Sequence, residues 1–292
     1  MKVFILGRGK VGAALAAAAK NAGHRVRVQS ARSWASAGAR PPGTAKGGEE
    51  TARTGVAARK IDCDLAILAV RDGVMPATIS ALIAAQSLPT TAVVVHVAGA
   101  RGAEFLEALR PHVAGVAQMH PMISFADPAV PPTLLRGNMR VSGDPAAVKV
   151  ARAFARSLGM TPRELAGADP VGYHAAAALV ANGAAALAAV GVALLVVAVV
   201  SVQDAPKMLG PLLRSVAENV ENLGLPGALT GPVRRGDSAG VAKHEALVAD
   251  RLPEARPLYR ALVAAQLPLA RALPDATPEQ LAALEALVAS WK

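Results

Sequence analysis

The sequence predicts an α/β chain in which a doubly wound, mostly parallel sheet is followed by an all-helical domain. Three observations carry this. Short apolar runs of strand length recur near residues 2–6, 25–29, 64–70 and 92–97, interleaved with helix-forming segments. A glycine-punctuated turn, GRGKVG, joins the first run to the first helical segment. Beyond residue 170 the strand pattern stops and long alanine- and leucine-rich segments take over. At 292 residues the chain is long enough for two domains with cores of their own. The expected division is 1–166 and 167–292, with a linker near residues 167–170.

Residues 2–6 (KVFIL) suit a strand buried on both faces. Residues 11–22 are alanine-rich and stop at Gly23, a natural helix terminator. Valine alternation resumes at 25–29. Strand, glycine turn, helix and strand within about 30 residues is the setting that gives a G-x-G-x-x-G pattern its meaning as a dinucleotide cradle. Here the pattern is Gly7, Gly9 and Gly12. The first glycine permits the tight turn, the second lets the backbone approach a pyrophosphate, and the third lets helix and strand pack closely. Unpaired amides at the helix start, backed by its dipole, then favour phosphate. Gly7, Arg8, Gly9, Lys10, Val11 and Gly12 are therefore cofactor-binding candidates, the alternative being a purely structural turn.

Cofactor choice is read at the end of the second strand, where an Asp or Glu would accept hydrogen bonds from a ribose 2′-hydroxyl. The residues there are Gln29, Ser30, Ala31, Arg32 and Ser33, with no acid. Ser30, Arg32 and Ser33 suit a 2′-phosphate, since a guanidinium grips phosphate through two charge-assisted bonds. NADP(H) is expected rather than NAD. Residues 34–55, with ARPPG and KGG as breakers, read as a flexible loop.

Two more strands are expected at 64–70 and 92–97, separated by a helix near 75–85. Ligands of such sheets bind beyond the carboxyl ends of the strands, so Val70, Arg71 and Asp72, and the stretch from His96 to Gly99, fall where a nicotinamide and its ribose would lie. A third strand end follows 115–119, at His120-Pro121-Met122-Ile123-Ser124. A strand at 139–142, a helix at 145–157 and the segment MTPREL complete the domain.

Composition narrows the class. Hydrophobic residues make up 53% and charged residues 18%, a globular balance. The single cysteine, Cys63, excludes an internal disulfide and a thiolate-rich metal centre, and it fits a reducing cytoplasm; no metal site is expected. Of the net charge of +10, residues 1–62 supply a surplus of nine. That suggests polyanions, yet no helix-turn-helix, zinc-finger or aromatic-interleaved pattern accompanies it, so a phosphate-rich small molecule is favoured over nucleic acid. Residues 175–202 are apolar enough to span a bilayer, but they are flanked by neither an aromatic belt nor a basic cluster. A buried helix of a soluble homodimer is the expectation. Ala178, Ala181, Ala185 and Ala189 would let another helix approach closely, and residues 203–223 look like an antiparallel partner. Further helices are expected at 239–250, 257–273 and 278–291.

Together with GRGKVG and VVHVAGA, the stretches MHPMISFAD, YHAAAALVAN and ALTGPVRRGD…VAKH resemble the Rossmann-like proteins that carry the domain of unknown function 2520. These are similar in plan to pyrroline-5-carboxylate reductase, ketopantoate reductase and the 6-phosphogluconate dehydrogenase group. The resemblance runs over nearly the whole chain. It implies an N-terminal NADP-binding domain and an all-helical C-terminal domain that dimerises, and it supplies no substrate. The motif positions it implies are the three glycines of the turn, His96, His120, Pro121, Tyr173, His174, Asn182, Thr230, Gly231, Pro232, Arg235, Gly236, Asp237 and His244. Several better-known relatives place a lysine on the first long helix of the second domain, with an amide one turn later. This chain has His174 and, eight residues on, Asn182. Eight residues span about 12 Å and roughly 80° of helix, so the two cannot bond directly, though both could touch one substrate in a cleft between the domains.

A nicotinamide-dependent reductase needs a proton donor beside the hydride acceptor, and histidine suits that role. His174 is the first candidate, with helix capping or a bond to a neighbouring carbonyl as its alternative. His120, held extended by the following proline, is the second, with loop anchoring as its alternative. Asn182 is costly among alanines unless its amide is satisfied, by substrate or by a second helix. Ser124 is a candidate substrate contact, as are Thr230, Arg235 and Asp237 on the GALTGPVRRGD turn. A guanidinium beside a hydroxyl there would hold a substrate carboxylate, unless Arg235 merely pairs with Asp237. The expected activity is NADPH-dependent reduction of a small carbonyl or imine compound of the keto- or imino-acid class. A non-catalytic NADP-binding or sensor protein is the competing reading.

Overall fold

The computed structural model describes residues 1–31, 60–165 and 167–291. It separates into two compact units, Met1–Ala178 and Leu179–Lys292. The first is built on one seven-stranded sheet: β1 (Lys2–Leu6), β2 (Arg25–Gln29), β3 (Leu65–Leu68), β4 (Val93–His96), β5 (Gly115–Pro121), β6 (Asn138–Gly143) and β7 (Thr161–Arg163). Their order is β2-β1-β3-β4-β5-β6-β7. All neighbours pair in parallel except β5 and β6, which run antiparallel.

Successive side chains of a strand face opposite ways, and here both faces are covered. Val3 and Ile5 of β1 pack with Leu65, Ile67, Val93 and Val95 under α1 (Lys10–Asn21). Phe4 and Leu6 pack on the other side with Ala66, Leu68 and Val94 under α2 (Met75–Ala84). The expected continuous apolar runs thus reflect a sheet buried between two layers. Helix α1 stops at Ala22, after which Gly23 takes a φ of +79°. Helix α3 (Pro145–Ser157) buries Ala147, Ala151, Phe154 and Ala155 against the β1 face that α1 also covers.

The long helix α4 (Pro170–Val197) starts within the first unit, its first turn capped by Asp169, whose carboxylate accepts from the N–H groups of Val171 (3.2 Å) and Gly172 (2.7 Å). It is the one described helix long and apolar enough to cross a membrane, with a mean hydropathy of 2.3 over its most apolar window. None of its residues is buried within the chain, so the buried environment expected for it is not provided by this chain alone. The second unit continues with α5 (Ala205–Leu223), the short α6 (Gly231–Arg234), α7 (Ser238–Arg251), α8 (Arg256–Arg271) and α9 (Pro278–Ala289). Its small core is Val233, Val241, Val263, Leu267, Ala270 and Leu284.

Candidate active site

Strand β1 has β2 on one side and β3 on the other, which makes its carboxyl end the place where the winding of the sheet reverses and ligands bind. The glycine turn sits there. Gly7 has a φ of +127°, and a Cβ on it would lie 2.2 Å from the carbonyl oxygen of Ala69 just past β3. Its N–H donates to the carbonyl of Gln29 at 2.8 Å, tying the turn to β2 as well. A Cβ on Gly12 would lie 2.2 Å from the carbonyl oxygen of Gly7. These two glycines are required by the protein's own close packing. Gly9 is different: it is extended, and the place of its Cβ is open space. That openness is what close approach of a diphosphate needs.

The surroundings fit a dinucleotide. Helix α1 begins with no acid in its first turn and no side chain bonded to its leading amides, so those donors face an anion unopposed. Arg8 and Lys10 are exposed beside them, and Val11 is half-buried. Ser30 follows β2 and is half-buried. Arg32, Ser33 and the expected loop at 34–55 lie outside the described residues. Val70 and Arg71 follow β3, half-buried and exposed respectively.

His96, expected as a cofactor contact, ends β4. It is fully buried, and both ring nitrogens are engaged with the loop after β4: Nε2 with the carbonyl oxygen of Gly102 at 2.8 Å, Nδ1 with the N–H of Ala98 at 3.2 Å. Burial holds its pKa below the usual histidine value. Its neutral ring shapes the 97–102 loop, which hydrogen bonds from Gln118 Nε2 to the carbonyls of Ala98 (2.9 Å) and Gly99 (3.2 Å) also hold.

That loop delivers Gly99 to a pair of histidines. A Cβ on Gly99 would lie 2.3 Å from His174 Nδ1 and 2.8 Å from His120 Nε2, so the two nitrogens converge on one point. The rings meet edge to face with centroids 5.6 Å apart, and Tyr173 meets His120 at the same distance. His120 comes from the carboxyl end of β5, His174 and Tyr173 from the first turn of α4, all within the first unit. The capping alternative for His174 is excluded, because Asp169 performs that task.

The two rings differ in environment. His174 is exposed, whereas His120 is mostly enclosed. Burial first, then the charges of His174, Arg140 and His96, lower the His120 pKa to about 4. At neutral pH it is uncharged and is not a store of a releasable imidazolium proton. Behind it, Arg140 is 4% exposed on β6, in register with His120 across the antiparallel pair. Its Nη2 donates to the carbonyl of Ala168 at 2.8 Å, and its guanidinium lies 5.1 Å from the centre of the Tyr173 ring. Gln118 and Arg140 were missed as site residues, whereas Gly99 falls in the 96–99 strand end expected beside the nicotinamide. The available signal was an arginine and a glutamine inside apolar strands, where a charge or amide is costly without a task.

Ser124 is exposed beyond β5. The remaining candidates belong to the second unit. Asn182 is exposed on α4, so the premise that its amide is buried does not hold within one chain. Thr230 and Arg235 are exposed, and Arg235 forms no ion pair among the described residues. Asp237 caps α7 by accepting from the N–H of Gly240 at 2.8 Å, which accounts for it structurally. The brace on this turn is Arg234, bonded to Asp275 (2.8 Å) and to the carbonyls of Gly227 and Leu229. His244 is exposed and meets Tyr259 at 6.5 Å. No group of three or more potential metal ligands occurs among the described residues.

Residues 1–121 match the family model of a Rossmann-like domain, and residues 138–266 match that of the domain of unknown function 2520. No protein with a curated description matches the chain. Among solved structures, a candidate NADP oxidoreductase from Bacteroides fragilis is similar with a TM-score of 0.64 and 20% identity, covering 91% of this chain and 97% of its own. A protein from Thermotoga maritima gives 0.60 and 18%, covering 92% and 98%. The pyrroline carboxylate reductase of Plasmodium falciparum, solved with NADP bound, gives 0.57 and 14%, covering 100% and 98%. At these identities the likeness is one of fold.

Proposed function

We propose that this chain, a Rossmann-like domain joined to a domain of unknown function 2520, is an NADP(H)-dependent oxidoreductase that reduces a small carbonyl or imine compound of the keto- or imino-acid class. The observation that carries the reading is the convergence of His120 Nε2 and His174 Nδ1 at Gly99, on the same edge of the sheet as the open glycine turn. The fold shared with an NADP-bound pyrroline carboxylate reductase supports the choice of cofactor and reaction class. The cofactor supplies a hydride to the carbon being reduced. Residues Gly7–Gly12 and Ser30 hold its phosphates and adenosine ribose, with Arg32 and Ser33 assigned to the 2′-phosphate from their residue types.

His174 delivers the proton. It is the exposed member of the pair, free to exchange with solvent between turnovers, and Asp169 fixes the helix turn that presents it. Ser124, Asn182, Thr230 and Arg235 remain candidate substrate contacts. A reducing cytoplasm accords with the lone Cys63, which is buried and whose pKa burial raises to about 12, leaving an inert thiol. The chain assembles as a homodimer through the apolar surface of α4 and α5.

The test is NADPH oxidation with a panel of 2-keto acids and cyclic imines. His174→Gln is expected to lower kcat by about 10²–10⁴-fold while leaving the NADPH-induced rise in Tm intact. A wild-type protein that NADPH does not stabilise would overturn the cofactor assignment. Undiminished turnover in His174→Gln would overturn the proton donor.

A further inference from the structure

Three buried polar atoms around the histidine pair have no hydrogen-bond partner among the described residues: His120 Nδ1 and Arg140 Nε and Nη1. All belong to residues paired in register on adjacent antiparallel strands, an arrangement that puts their side chains on one face of the sheet as neighbours. Arg140 is 4% exposed and forms no ion pair among the described residues, so its charge is uncompensated by any nearby carboxylate. A buried cation is costly unless the structure uses it.

We infer that Arg140 is a positioning residue that fixes His120 as the tautomer with its proton on Nε2, so that His120 serves the proposed reductase as a neutral hydrogen-bond donor to the substrate oxygen or nitrogen. The inference rests on the reading of this site as a reductase centre, but its chemistry is local. No hydrogen bond joins the guanidinium to His120 Nδ1 among the described residues, so Arg140 acts on the ring through its charge, which favours a bare lone pair on the enclosed Nδ1. His120 Nε2 is the nitrogen that converges with His174 beside Gly99, and it must then carry the hydrogen. The groups facing His120 are His174 and Tyr173 from α4, Arg140 from β6 and His96 from β4; none is an anion that would favour imidazolium. Arg140 also holds the other half of the pair. Through the Ala168 carbonyl and the Tyr173 ring it anchors the approach to α4 and its first turn, and so seats His174 opposite His120.

The division of labour that follows is specific. His120 polarises the double bond as an uncharged donor, and His174 gives up the proton. When the hydride adds to carbon, the π electrons move to the oxygen or nitrogen, which takes the His174 proton; His174 is then reprotonated from solvent.

The test is ¹⁵N–¹H correlation of the ring nitrogens in the full-length protein, which has six histidines, between pH 5 and 8. His120 is assigned by its loss in His120→Gln. In wild type His120 is expected to show the Nε2–H pattern throughout, without titrating. In Arg140→Met, where burial still keeps the ring neutral, it is expected to mix tautomers, and Arg140→Lys, which keeps the charge, is expected to restore the wild-type pattern. A wild-type His120 with its proton on Nδ1, or charged at pH 6, would sink the inference without any variant. An unchanged pattern in a folded Arg140→Met would do the same. Because the readout needs no substrate, it is separable from turnover: a confirmed tautomer in a protein that reduces nothing would refute the reductase reading alone.

Discussion

Gly99 shows how one residue without a side chain sets the candidate chemistry. The backbone there needs no unusual φ, so the reason for glycine is space: two histidine nitrogens occupy the volume a methyl group would take. In Gly99→Ala the exposed His174 ring can swing away, but the mostly enclosed His120 ring, whose Nε2 would lie 2.8 Å from the new methyl, must shift as well. Stability is therefore expected to fall by about 1–3 kcal/mol, and displacement of the candidate proton donor by about 1 Å is expected to lower kcat by roughly 10²-fold. Paired urea titrations and NADPH oxidation assays check this, and a variant as active as wild type would show that the His120–His174 geometry is not used. The sequence made His120 and His174 visible because histidines are rare in this chain and each stands at an element boundary. It placed Gly99 at a ligand-binding strand end but revealed neither its fit between the rings nor Arg140, since packing against rings from β5 and α4 is a tertiary fact that no local spacing encodes.

Elements were legible where local chemistry and burial agreed. Helix α3 follows residues 145–157 as expected, opened by a proline at its first position, and the parallel strands lie inside their apolar runs because both faces of the sheet are covered. The antiparallel turn of β6 was not readable, because direction depends on how the chain returns rather than on the residues of the strand. The long helix begins at Pro170, five residues before its apolar stretch, because Asp169 and Pro170 start it and hydrophobicity does not. In the second unit, α7 and α8 are clasped by Glu245, whose carboxylate accepts from Arg256 Nε (2.6 Å) and Arg260 Nε (2.8 Å). The hydrogen bond from Arg256 is the main cause that holds the Glu245 carboxyl below its usual pKa; burial opposes it and Arg260 reinforces it. A depressed value means the clasp stabilises fully above the unfolded carboxylate pKa of about 4.3 and is lost as pH falls through the folded value. Glu245→Gln is expected to cost roughly 2 kcal/mol at pH 7, and the gap to wild type should narrow between pH 5 and 3. A gap that stays constant with pH in urea titrations would mean the charge of Glu245 contributes nothing to the clasp.

At the scale of the whole molecule, the apolar surface left on α4 and α5 decides what state the protein can occupy in water. Along α5, Met208, Leu212, Val216, Val220 and Leu223 are between 45% and 64% exposed and recur every three or four residues, which lines them along one side of the helix. On α4, Leu179 and Val180 are more than 70% exposed. Large apolar side chains exposed in a row along a helix are the mark of a surface that meets a partner. The polar groups interspersed on α5, among them Lys207, Arg214, Glu218 and Glu221, are out of place in a lipid-facing helix, whereas a second copy of the chain offers an apolar stripe of the same length. Sedimentation equilibrium is therefore expected to report twice the 29.6 kDa of one chain. Placing aspartate at both positions, Leu212→Asp with Val216→Asp, should shift the species to a monomer that still gains Tm with NADPH, because the glycine turn lies in the other unit. A wild-type monomer at tens of micromolar, or flotation of the protein with phospholipid vesicles, would instead mean that α4 and α5 meet something other than their own copies.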